Sequence, residues 1–316
     1  MSRPEPLLGR RFMYEAGRID RRWGRERAAA FREFRENIES GAYAFEGYPC
    51  FCGSGQDILI SETDRYGNYY PFVICRGCGT MRANPRMSAK AYAEFYSREY
   101  RTLYGDNEVD KERLYLSRVE QGGEVYRFIS AKVKLPKGAV VFDIGCNMGA
   151  MLLPFSRAGC DVSGVDFDAE YIEFGRRKTG LDLAIGSAEK LSSSERKASL
   201  ILLSHVVEHF LDIDLELRRI GALMLPGAHL YVSLPGTYWW ITHVEGGNIL
   251  GLLQNAHVWQ FSLATLNYVM ARNGFELLSG DERIEALYVY RGARIDSRSM
   301  PPAGECRKAI RYSEGS

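Results

Sequence analysis

The sequence predicts an α/β fold in which a doubly wound, seven-stranded sheet is largely parallel and carries an antiparallel edge strand. Three features predict this sheet. From residue 138 onward, short apolar runs alternate with amphipathic stretches, which is typical of parallel strands connected by helices. The first apolar run, VVFDI at 140–144, leads directly into a glycine-rich turn. Two apolar runs lie close together at 275–279 and 286–291, which indicates an antiparallel pair at the edge.

The rest of the chain divides into smaller regions. A length of 316 residues predicts one large domain with a smaller attachment. We expect a helical segment at 1–45, a turn-rich cysteine module at 46–86, a helical connector at 87–135, the sheet domain at 136–294 and a loose polar tail at 295–316. The predicted strands are 139–144, 161–165, 182–185, 199–204, 228–234, 275–279 and 286–291. The predicted helices of the sheet domain are 148–158, 168–178, 189–196, 206–224 and 262–273.

The composition is that of an ordinary globular protein, with 46% hydrophobic and 26% charged residues. The formal net charge of +1 provides no general attraction for nucleic acid, anionic membranes or polyacidic substrates. The N-terminal residues lack the apolar run of a signal peptide, and no later run reaches the length of a membrane span. We therefore expect a cytoplasmic protein without a membrane span.

The glycine-rich turn and the acid after the next strand indicate a nucleotide site. The turn reads DIGCNMG from Asp143 to Gly149, and the second strand ends in Asp166 within GVDFD. Ligands of open α/β sheets bind at the carboxyl ends of the strands, where an acid can bind the ribose hydroxyls. The Gly-x-x-x-Gly spacing differs from the Gly-x-Gly-x-x-Gly of dinucleotide sites. The alternative is that Asp143 and Asp166 only cap the helices that follow them.

Five motifs occur in order: DIGCNMG, GVDFD, GSAEKL, LLSHVVEHF and LMLPGAHLYVSLPG. Over roughly residues 125–292 the chain thereby resembles the class I S-adenosylmethionine-dependent methyltransferases, in particular the small-molecule branch with its quinone-biosynthesis and sugar methyltransferases. The resemblance implies a Rossmann-like sheet and S-adenosylmethionine as the cofactor. It also implies the residues that bind this cofactor, which are Asp143, Gly145, Cys146, Asn147, Gly149, Asp166, Phe167, Ala188, Glu189, Ser204 and His205.

The resemblance implies a role for several of these positions. The turn around Gly145 would face the methionine part of the cofactor, Asp166 would bind the ribose and Phe167 would lie beside the adenine. Ala188 and Glu189 would border the adenine edge. Asn147 departs from the family, which more often has glycine there, but asparagine tolerates left-handed backbone angles better than most residues.

Histidines near the end of the fourth strand are the candidate catalytic bases. Methyl transfer to an alcohol or phenol requires removal of a proton, and the ordinary pKa of histidine suits that task. His205 and His209 lie in SHVVEHF directly after the strand, and His257 lies in the segment NAHVWQF. The alternative is that these histidines are packed and hydrogen-bonded side chains without a catalytic role.

A long segment at 236–261 follows the fifth strand, and inserts at this edge of a sheet often carry substrate. Its aromatic residues predict a wall for a sugar ring or a planar acceptor; they are Tyr238, Trp239, Trp240 and Trp259. The alternative is that these side chains form the contact of a homodimer.

Two glycine-terminated cysteine pairs resemble the two turns of a zinc ribbon: Cys50-x-Cys52-Gly and Cys75-x-x-Cys78-Gly. Four thiolates complete a tetrahedral site with no open position, so we expect one structural Zn²⁺ ion. The first pair is one residue shorter than the usual C-x-x-C. The alternative is a group of buried free thiols.

Function follows from the resemblance and the histidines. We expect methyl transfer to a small-molecule acceptor, most readily a hydroxyl of a sugar, a glycan precursor or an aromatic metabolite. A nucleic-acid methyltransferase is a competing hypothesis, but base-amino methyltransferases carry an Asn/Asp-Pro-Pro-aromatic motif where this chain has SHVV from Ser204. A second alternative is a non-catalytic assembly protein that retains the cofactor fold.

Overall fold

A computed structural model of the chain describes residues 5–14, 25–104, 111–192, 196–244, 249–295 and 302–314. The strands in these ranges are β1 (Phe45–Glu46), β2 (Asp57–Thr63), β3 (Tyr69–Cys75), β4 (Met81–Ala83), β5 (Arg86–Met87), β6 (Val140–Ile144), β7 (Asp161–Asp166), β8 (Asp182–Ile185), β9 (Ala198–Ser204), β10 (Met224–Ser233), β11 (Trp259–Gln260), β12 (Phe275–Ser279) and β13 (Glu285–Tyr290).

The α-helices are α1 (Arg25–Glu39), α2 (Ala89–Arg98), α3 (Tyr100–Tyr104), α4 (Lys111–Ser130), α5 (Leu153–Arg157), α6 (Ala169–Thr179), α7 (Glu189–Ser192), α8 (Ile213–Ala222), α9 (Thr237–His243), α10 (Leu263–Arg272) and α11 (Glu305–Glu314). Short 3-10 turns occur at Arg10–Phe12, Ala150–Leu152, Val207–His209 and Ile249–Leu252. Within the described ranges, no helix is both long enough and apolar enough to cross a membrane.

The largest sheet has seven strands in the order β12-β13-β10-β9-β6-β7-β8. The pairs β10·β9, β9·β6, β6·β7 and β7·β8 are parallel, whereas β13 is antiparallel to both β10 and β12. This arrangement confirms the predicted mixed sheet and the antiparallel pair at its edge. The run Leu200–Leu203 in the central strand β9 is completely buried, as expected for a parallel strand that is covered on both faces.

The helix predicted at 206–224 is interrupted, which corrects that expectation. Residues Val207–His209 form a single 3-10 turn, and α8 begins only at Ile213. The Asp212 side chain caps α8, because it accepts a hydrogen bond of 2.9 Å from the Leu215 backbone N–H. Phe210 is extended (ψ 125°), which separates the turn from α8. The turn after β9 can therefore present its side chains independently of the helix.

The cysteine module is built into the sheet domain. Its four-stranded sheet has the order β11-β4-β3-β2, and β11 comes from the segment that follows β10. Trp259 and Gln260 in β11 pair with Arg82 and Met81 in β4. Apolar side chains of the module pack into the same buried core as those of the sheet domain, so the two regions share one interior.

The C-terminal segment is ordered from residue 302 to 314, which corrects the expectation of a loose tail. It forms α11, whose buried residues Glu305, Ala309 and Ser313 lie four residues apart on one face. The Glu305 carboxylate accepts hydrogen bonds of 2.6 Å from the Tyr238 hydroxyl and the Ser262 hydroxyl. The polar composition of this segment gave no sign of a packed helix in the sequence, because the buried face consists of small and hydrogen-bonded side chains rather than large apolar ones.

Candidate functional site

Four adjacent parallel strands end at one edge of the large sheet, and the predicted site residues follow these strand ends. The turn 145–149 follows β6, Asp166 ends β7, residues 188–189 follow β8, and residues 204–209 follow β9. Because these strands are neighbours in the order β9-β6-β7-β8, the topology brings the four groups to one cleft.

The turn after β6 depends on left-handed backbone angles. Gly145 has φ 78°, Asn147 has φ 53° and Gly149 has φ 69°. A Cβ atom on Gly145 would lie 2.6 Å from Val206 Cγ2, and one on Gly149 would lie 2.7 Å from Leu183 Cδ2. Both glycines are therefore required by backbone angle and by packing, while asparagine is one of the few other residues that tolerate this region.

Asp166 connects the turn to the end of β7. Its Oδ2 accepts a hydrogen bond of 2.8 Å from the Asn147 backbone N–H, and its Oδ1 accepts one of 2.8 Å from the Asp168 backbone N–H. Burial raises the pKa of Asp166, against the lowering effect of these backbone donors. A carboxylate has about four acceptor positions, so Asp166 retains capacity for two further donors.

Asp143, in β6, is buried without a hydrogen-bond partner among the described residues. The side chain is 1% exposed, and among the described residues neither carboxylate oxygen has a hydrogen-bond partner. Burial and the negative charge of Asp166 raise the pKa of Asp143 to about 7, and Arg118 opposes this only partly. Buried polar groups are normally paired, so an unpaired carboxylate marks a position where a ligand can supply the partner.

The other predicted cofactor residues occupy different surroundings. Phe167 is 78% exposed beside Asp166, and Glu189 is exposed beyond β8 and forms an ion pair of 3.8 Å with Arg219. Ala188 is half-buried next to Glu189. The Cys146 thiol packs into the sheet, so this residue offers its backbone rather than its side chain to the cleft. The Ser204 hydroxyl lies 3.1 Å from the Ser233 hydroxyl on β10.

A buried carboxylate and three histidines lie together beyond β9. Glu208 is 1% exposed; its Oε1 lies 3.4 Å from His205 Nδ1 and 4.0 Å from His257 Nε2. The rings of His209 and His257 lie 4.8 Å apart, edge to face. Burial raises the pKa of Glu208, but the three histidines outweigh it and hold the pKa at about 2. Burial lowers the pKa of both His209 and His257, against the raising effect of the Glu208 charge.

His205 differs from the other two histidines in exposure and backbone. Its side chain is 49% exposed, and its φ of 57° lies in the left-handed region that non-glycine residues rarely adopt. The backbone N–H of His205 donates a 2.8 Å hydrogen bond to the Ser233 carbonyl, which helps to hold this conformation. The backbone angle thus presents the imidazole to solvent at the cleft while Nδ1 stays near Glu208.

The aromatic surface near the histidines comes from α2 and α3. Tyr96, Tyr100 and Tyr104 form a continuous row with ring centroids 4.6 and 5.4 Å apart. The Tyr96 hydroxyl lies 2.9 Å from His209 Nδ1. Burial, then the charges of Glu208 and Asp166, raise the pKa of Tyr100 to about 12. Sequence reasoning missed this row, although tyrosines at 92, 96, 100 and 104 repeat at helical spacing.

The segment 236–261 does not supply the predicted aromatic wall. Trp259 is completely buried, packs 5.2 Å from the Phe51 ring and donates a hydrogen bond of 2.7 Å to the Phe210 carbonyl. Tyr238 is buried against α11, and Trp239 stacks on His243 at 5.3 Å. Trp259 thus attaches the segment to the cysteine module, and Tyr238 attaches it to α11.

The four cysteine thiols of the module converge on one point. One sulfur from each of the four residues lies within 4.8 Å of the other three, and the Sγ pairs Cys50–Cys78 and Cys52–Cys75 are each 3.5 Å apart. Both turns end in a glycine with positive φ, Gly53 and Gly79, which confirms the two-turn pattern. The cluster lies in the module and not at the cleft, so any ion that it holds serves the structure.

Comparison with known proteins relates the chain to methyltransferases. A family model described as a methyltransferase domain matches residues 117–279, just over half of the chain. A ubiquinone biosynthesis O-methyltransferase from Chelativorans sp. (strain BNC1) is 33% identical over 102 residues, which cover 31% of this chain and 40% of that protein. The corresponding protein of Azorhizobium caulinodans is 34% identical over 105 residues, again 31% and 40%. The matches thus span about two fifths of these relatives.

Solved structures with a similar arrangement include a magnesium protoporphyrin IX methyltransferase from Synechocystis PCC 6803 with bound SAH. It is 17% identical, with a TM-score of 0.45, over 64% of this chain and 98% of that one.

The uncompensated burial of Asp143 predicts a pH-dependent stability. Because folding raises its pKa from an ordinary value near 3.8 to about 7, its contribution to stability is present at low pH and is lost as the pH rises through 7. The variant Asp143→Asn, without ligand, should therefore exceed the wild-type free energy of unfolding by on the order of 2–4 kcal/mol at pH 8 and by much less at pH 4.5.

Urea unfolding at the two pH values measures this difference. Asp161→Asn is the matched control, since Asp161 lies at the exposed opposite end of the neighbouring strand β7. A difference between wild type and Asp143→Asn that stays constant with pH would contradict the assignment.

Proposed function

The chain belongs to this methyltransferase family, and from that premise we propose that it transfers a methyl group from S-adenosylmethionine to a hydroxyl oxygen of a small molecule. One observation carries the proposal: an unpaired buried Asp143, the turn held by Asp166 and the His205–Glu208 pair meet at one sheet edge. The names of the relatives, ubiquinone biosynthesis O-methyltransferases, support an oxygen acceptor on a small molecule.

The cleft residues fit the proposed cofactor. S-Adenosylmethionine, when bound, supplies an electrophilic methyl group on a positively charged sulfur. Neither carboxylate oxygen of Asp143 has a hydrogen-bond partner in the described part of the chain, and the positively charged methionine portion would compensate its charge. Asp166 has two free acceptor positions for the ribose hydroxyls, while the exposed Phe167 ring offers a face for the adenine. Ala188 and Glu189 would border the adenine, next to the end of β8.

We assign the general base to His205 in preference to His209 and His257. His205 is the half-exposed member of the three, so an acceptor can reach its ring. The Nδ1 atom lies 3.4 Å from Glu208, which leaves Nε2 to take the proton of the acceptor hydroxyl. The buried charge of Glu208 would then stabilise the imidazolium, as the carboxylate does in a base–orienting pair. His209 instead has its Nδ1 engaged by the Ala256 carbonyl.

The tyrosine row suggests the class of acceptor. Tyr96 and Tyr100 face the same cleft as His205, and flat rings suit either the apolar face of a sugar or an aromatic metabolite. A net charge of +1 gives no support to an RNA substrate. We therefore propose an acceptor with a hydroxyl on a ring, either a sugar or glycan precursor or a phenol.

We also propose that the four cysteines hold one structural zinc ion. With a Zn–S distance near 2.3 Å, the sulfurs of a tetrahedral site lie ~3.8 Å apart. Two Sγ–Sγ distances, of 3.5 Å each, are close to this spacing. Four thiolates leave no open position for substrate, so the ion would stabilise the module.

The zinc proposal predicts one zinc ion per chain in protein purified without chelator. The variant Cys75→Ser should lose that zinc and unfold at a lower temperature, because structural zinc contributes directly to folding. Elemental analysis and thermal unfolding measure both effects, and Cys160→Ser, at a half-buried thiol outside the cluster, is the control. Zinc-free wild-type protein, or iron in its place, would refute the assignment.

The cofactor proposal predicts that Asp166→Ala weakens S-adenosylhomocysteine binding by about 10–150-fold, because it removes hydrogen bonds to a charged acceptor worth about 1.5–3 kcal/mol. Isothermal calorimetry provides the measurement. Asp161→Ala, at the other end of the same strand, should bind like wild type. Unchanged affinity in Asp166→Ala would remove Asp166 from the site.

The base assignment predicts that His205→Ala lowers turnover by about 10²–10⁴-fold and leaves S-adenosylhomocysteine affinity nearly unchanged. Transfer of a labelled methyl group to a panel of sugars, glycan precursors and phenols measures turnover. His243→Ala is the control, since His243 is exposed and stacks on Trp239. Wild-type turnover in His205→Ala would indicate an acceptor that needs no base at this position.

A further inference from the structure

Three side chains at the cleft form a second group with metal-ligand character, apart from the cysteines. One ligand atom each of Glu208, His209 and His257 lies within 4.8 Å of the other two. Glu208 and His209 belong to the turn after β9, whereas His257 lies in the segment that leads to β11. Two hydrogen bonds join these segments: the Val258 N–H donates to the Glu208 carbonyl at 2.9 Å, and His209 Nδ1–H donates to the Ala256 carbonyl at 2.8 Å.

The hydrogen bond to Ala256 determines which nitrogen of His209 is available. A carbonyl oxygen can only accept, so Nδ1 must carry the hydrogen and Nε2 of the neutral ring must carry the lone pair. Histidine ligands of metal ions commonly donate their other N–H to a backbone carbonyl in this way. The Gln254 amide nitrogen lies 2.8 Å from His257 Nδ1 and 2.7 Å from His257 Nε2. With its oxygen and nitrogen exchanged, the amide can accept from an Nδ1–H, and it must turn away from Nε2 when an ion binds there.

The carboxylate of Glu208 supplies the independent observation that something binds here. It is 1% exposed, and within the described part of the chain neither of its oxygens has a hydrogen-bond partner. The ion-pair contacts that it makes there are to His205 and His257, and no lysine or arginine of the described ranges lies within 4.0 Å of it. A carboxylate buried without a lysine or arginine beside it is costly unless a cation is bound there.

We propose that Glu208, His209 and His257 bind a divalent cation. At a metal–ligand distance of ~2.1 Å, two ligands of one ion lie ~3.0–4.2 Å apart, depending on the angle between them. The 4.0 Å between Glu208 Oε1 and His257 Nε2 falls in this range, and the widest pair needs only a small inward movement. Three protein ligands leave positions open for water or for a substrate oxygen.

The location of the cation suggests a role beside the base. Glu208 lies 3.4 Å from His205 Nδ1, so the ion would lie beside the proposed base, where an acceptor hydroxyl could occupy an open position on it. Coordination would lower the pKa of that hydroxyl and hold it in line for methyl transfer. This role rests on the proposed function, whereas binding of the ion rests only on the three side chains.

Equilibrium dialysis of the zinc-loaded full chain against Co²⁺, with elemental analysis of both metals, tests binding without turnover. Co²⁺ accepts imidazole and carboxylate ligands, and the zinc content reports any exchange at the cysteines. Wild type should retain one cobalt in addition to its zinc. Glu208→Gln and His257→Gln should each bind cobalt at least about 10-fold more weakly, while His243→Gln should bind like wild type.

Thermal unfolding provides a second measurement, which remains informative if a variant folds poorly. Added Co²⁺ should raise the unfolding temperature of wild type and His243→Gln, and should leave that of Glu208→Gln unchanged. No cobalt beyond the zinc sites in wild type, or equal cobalt binding in all four proteins, overturns the proposal. Cobalt bound as expected in a protein that transfers no methyl group leaves the cation site standing and refutes the proposed function. Methyl transfer by wild type that binds no cobalt refutes the cation site alone.

Discussion

The pairing of β11 with β4 is the contact on which the arrangement of the cleft depends. It inserts two residues from the segment after β10 into the sheet of the cysteine module. Trp259, fully buried at this junction, packs against Phe51 next to the cysteine turn and donates to the Phe210 carbonyl beyond β9. Three parts of the chain therefore meet at one side chain. The same segment carries His257 to Glu208, so the position of this histidine follows from a strand pairing outside the methyltransferase sheet.

Three acids at the sheet edge are buried for different reasons. Asp166 accepts two backbone hydrogen bonds and thereby fixes the turn after β6, so its burial is compensated within the fold. Asp143 and Glu208 have no such donors among the described residues. A domain loses stability when it buries a carboxylate without a partner. Such a loss is tolerated at sites where ligand binding offsets it. Asp143 lies in β6 and Glu208 in the turn after the neighbouring strand β9, so the two acids belong to adjacent strands of one sheet edge.

The sequence predicted the sheet and the turn after β6 well because their signals are local. Apolar runs determine the strands, and the turn from Gly145 to Gly149 requires residues that tolerate positive φ. The tyrosine row, the burial of Trp259 and helix α11 were missed or misjudged because each depends on distant partners. Tyr96 meets His209 across 113 residues, and Glu305 meets Tyr238 across 67. Side-chain type alone could not distinguish a tryptophan at a module junction from one that faces substrate.

The cysteine module is connected to the cleft through the packing of its side chains. Tyr96 lies on helix α2. The neighbouring Phe95 packs this helix against α1, because its ring centroid lies 5.2 Å from that of Phe34. On its other side, Tyr92 donates a hydrogen bond of 3.3 Å to the Asn255 carbonyl, two residues before His257. One wall of the cleft therefore depends on contacts from the N-terminal helix, the module and the segment after β10. Because protein interiors are closely packed, a shift of one buried side chain is transmitted to its neighbours. We therefore expect loss of the four-cysteine cluster to disturb the geometry around His257 and Tyr96. The turn after β6 should be affected less, because it belongs to the seven-stranded sheet.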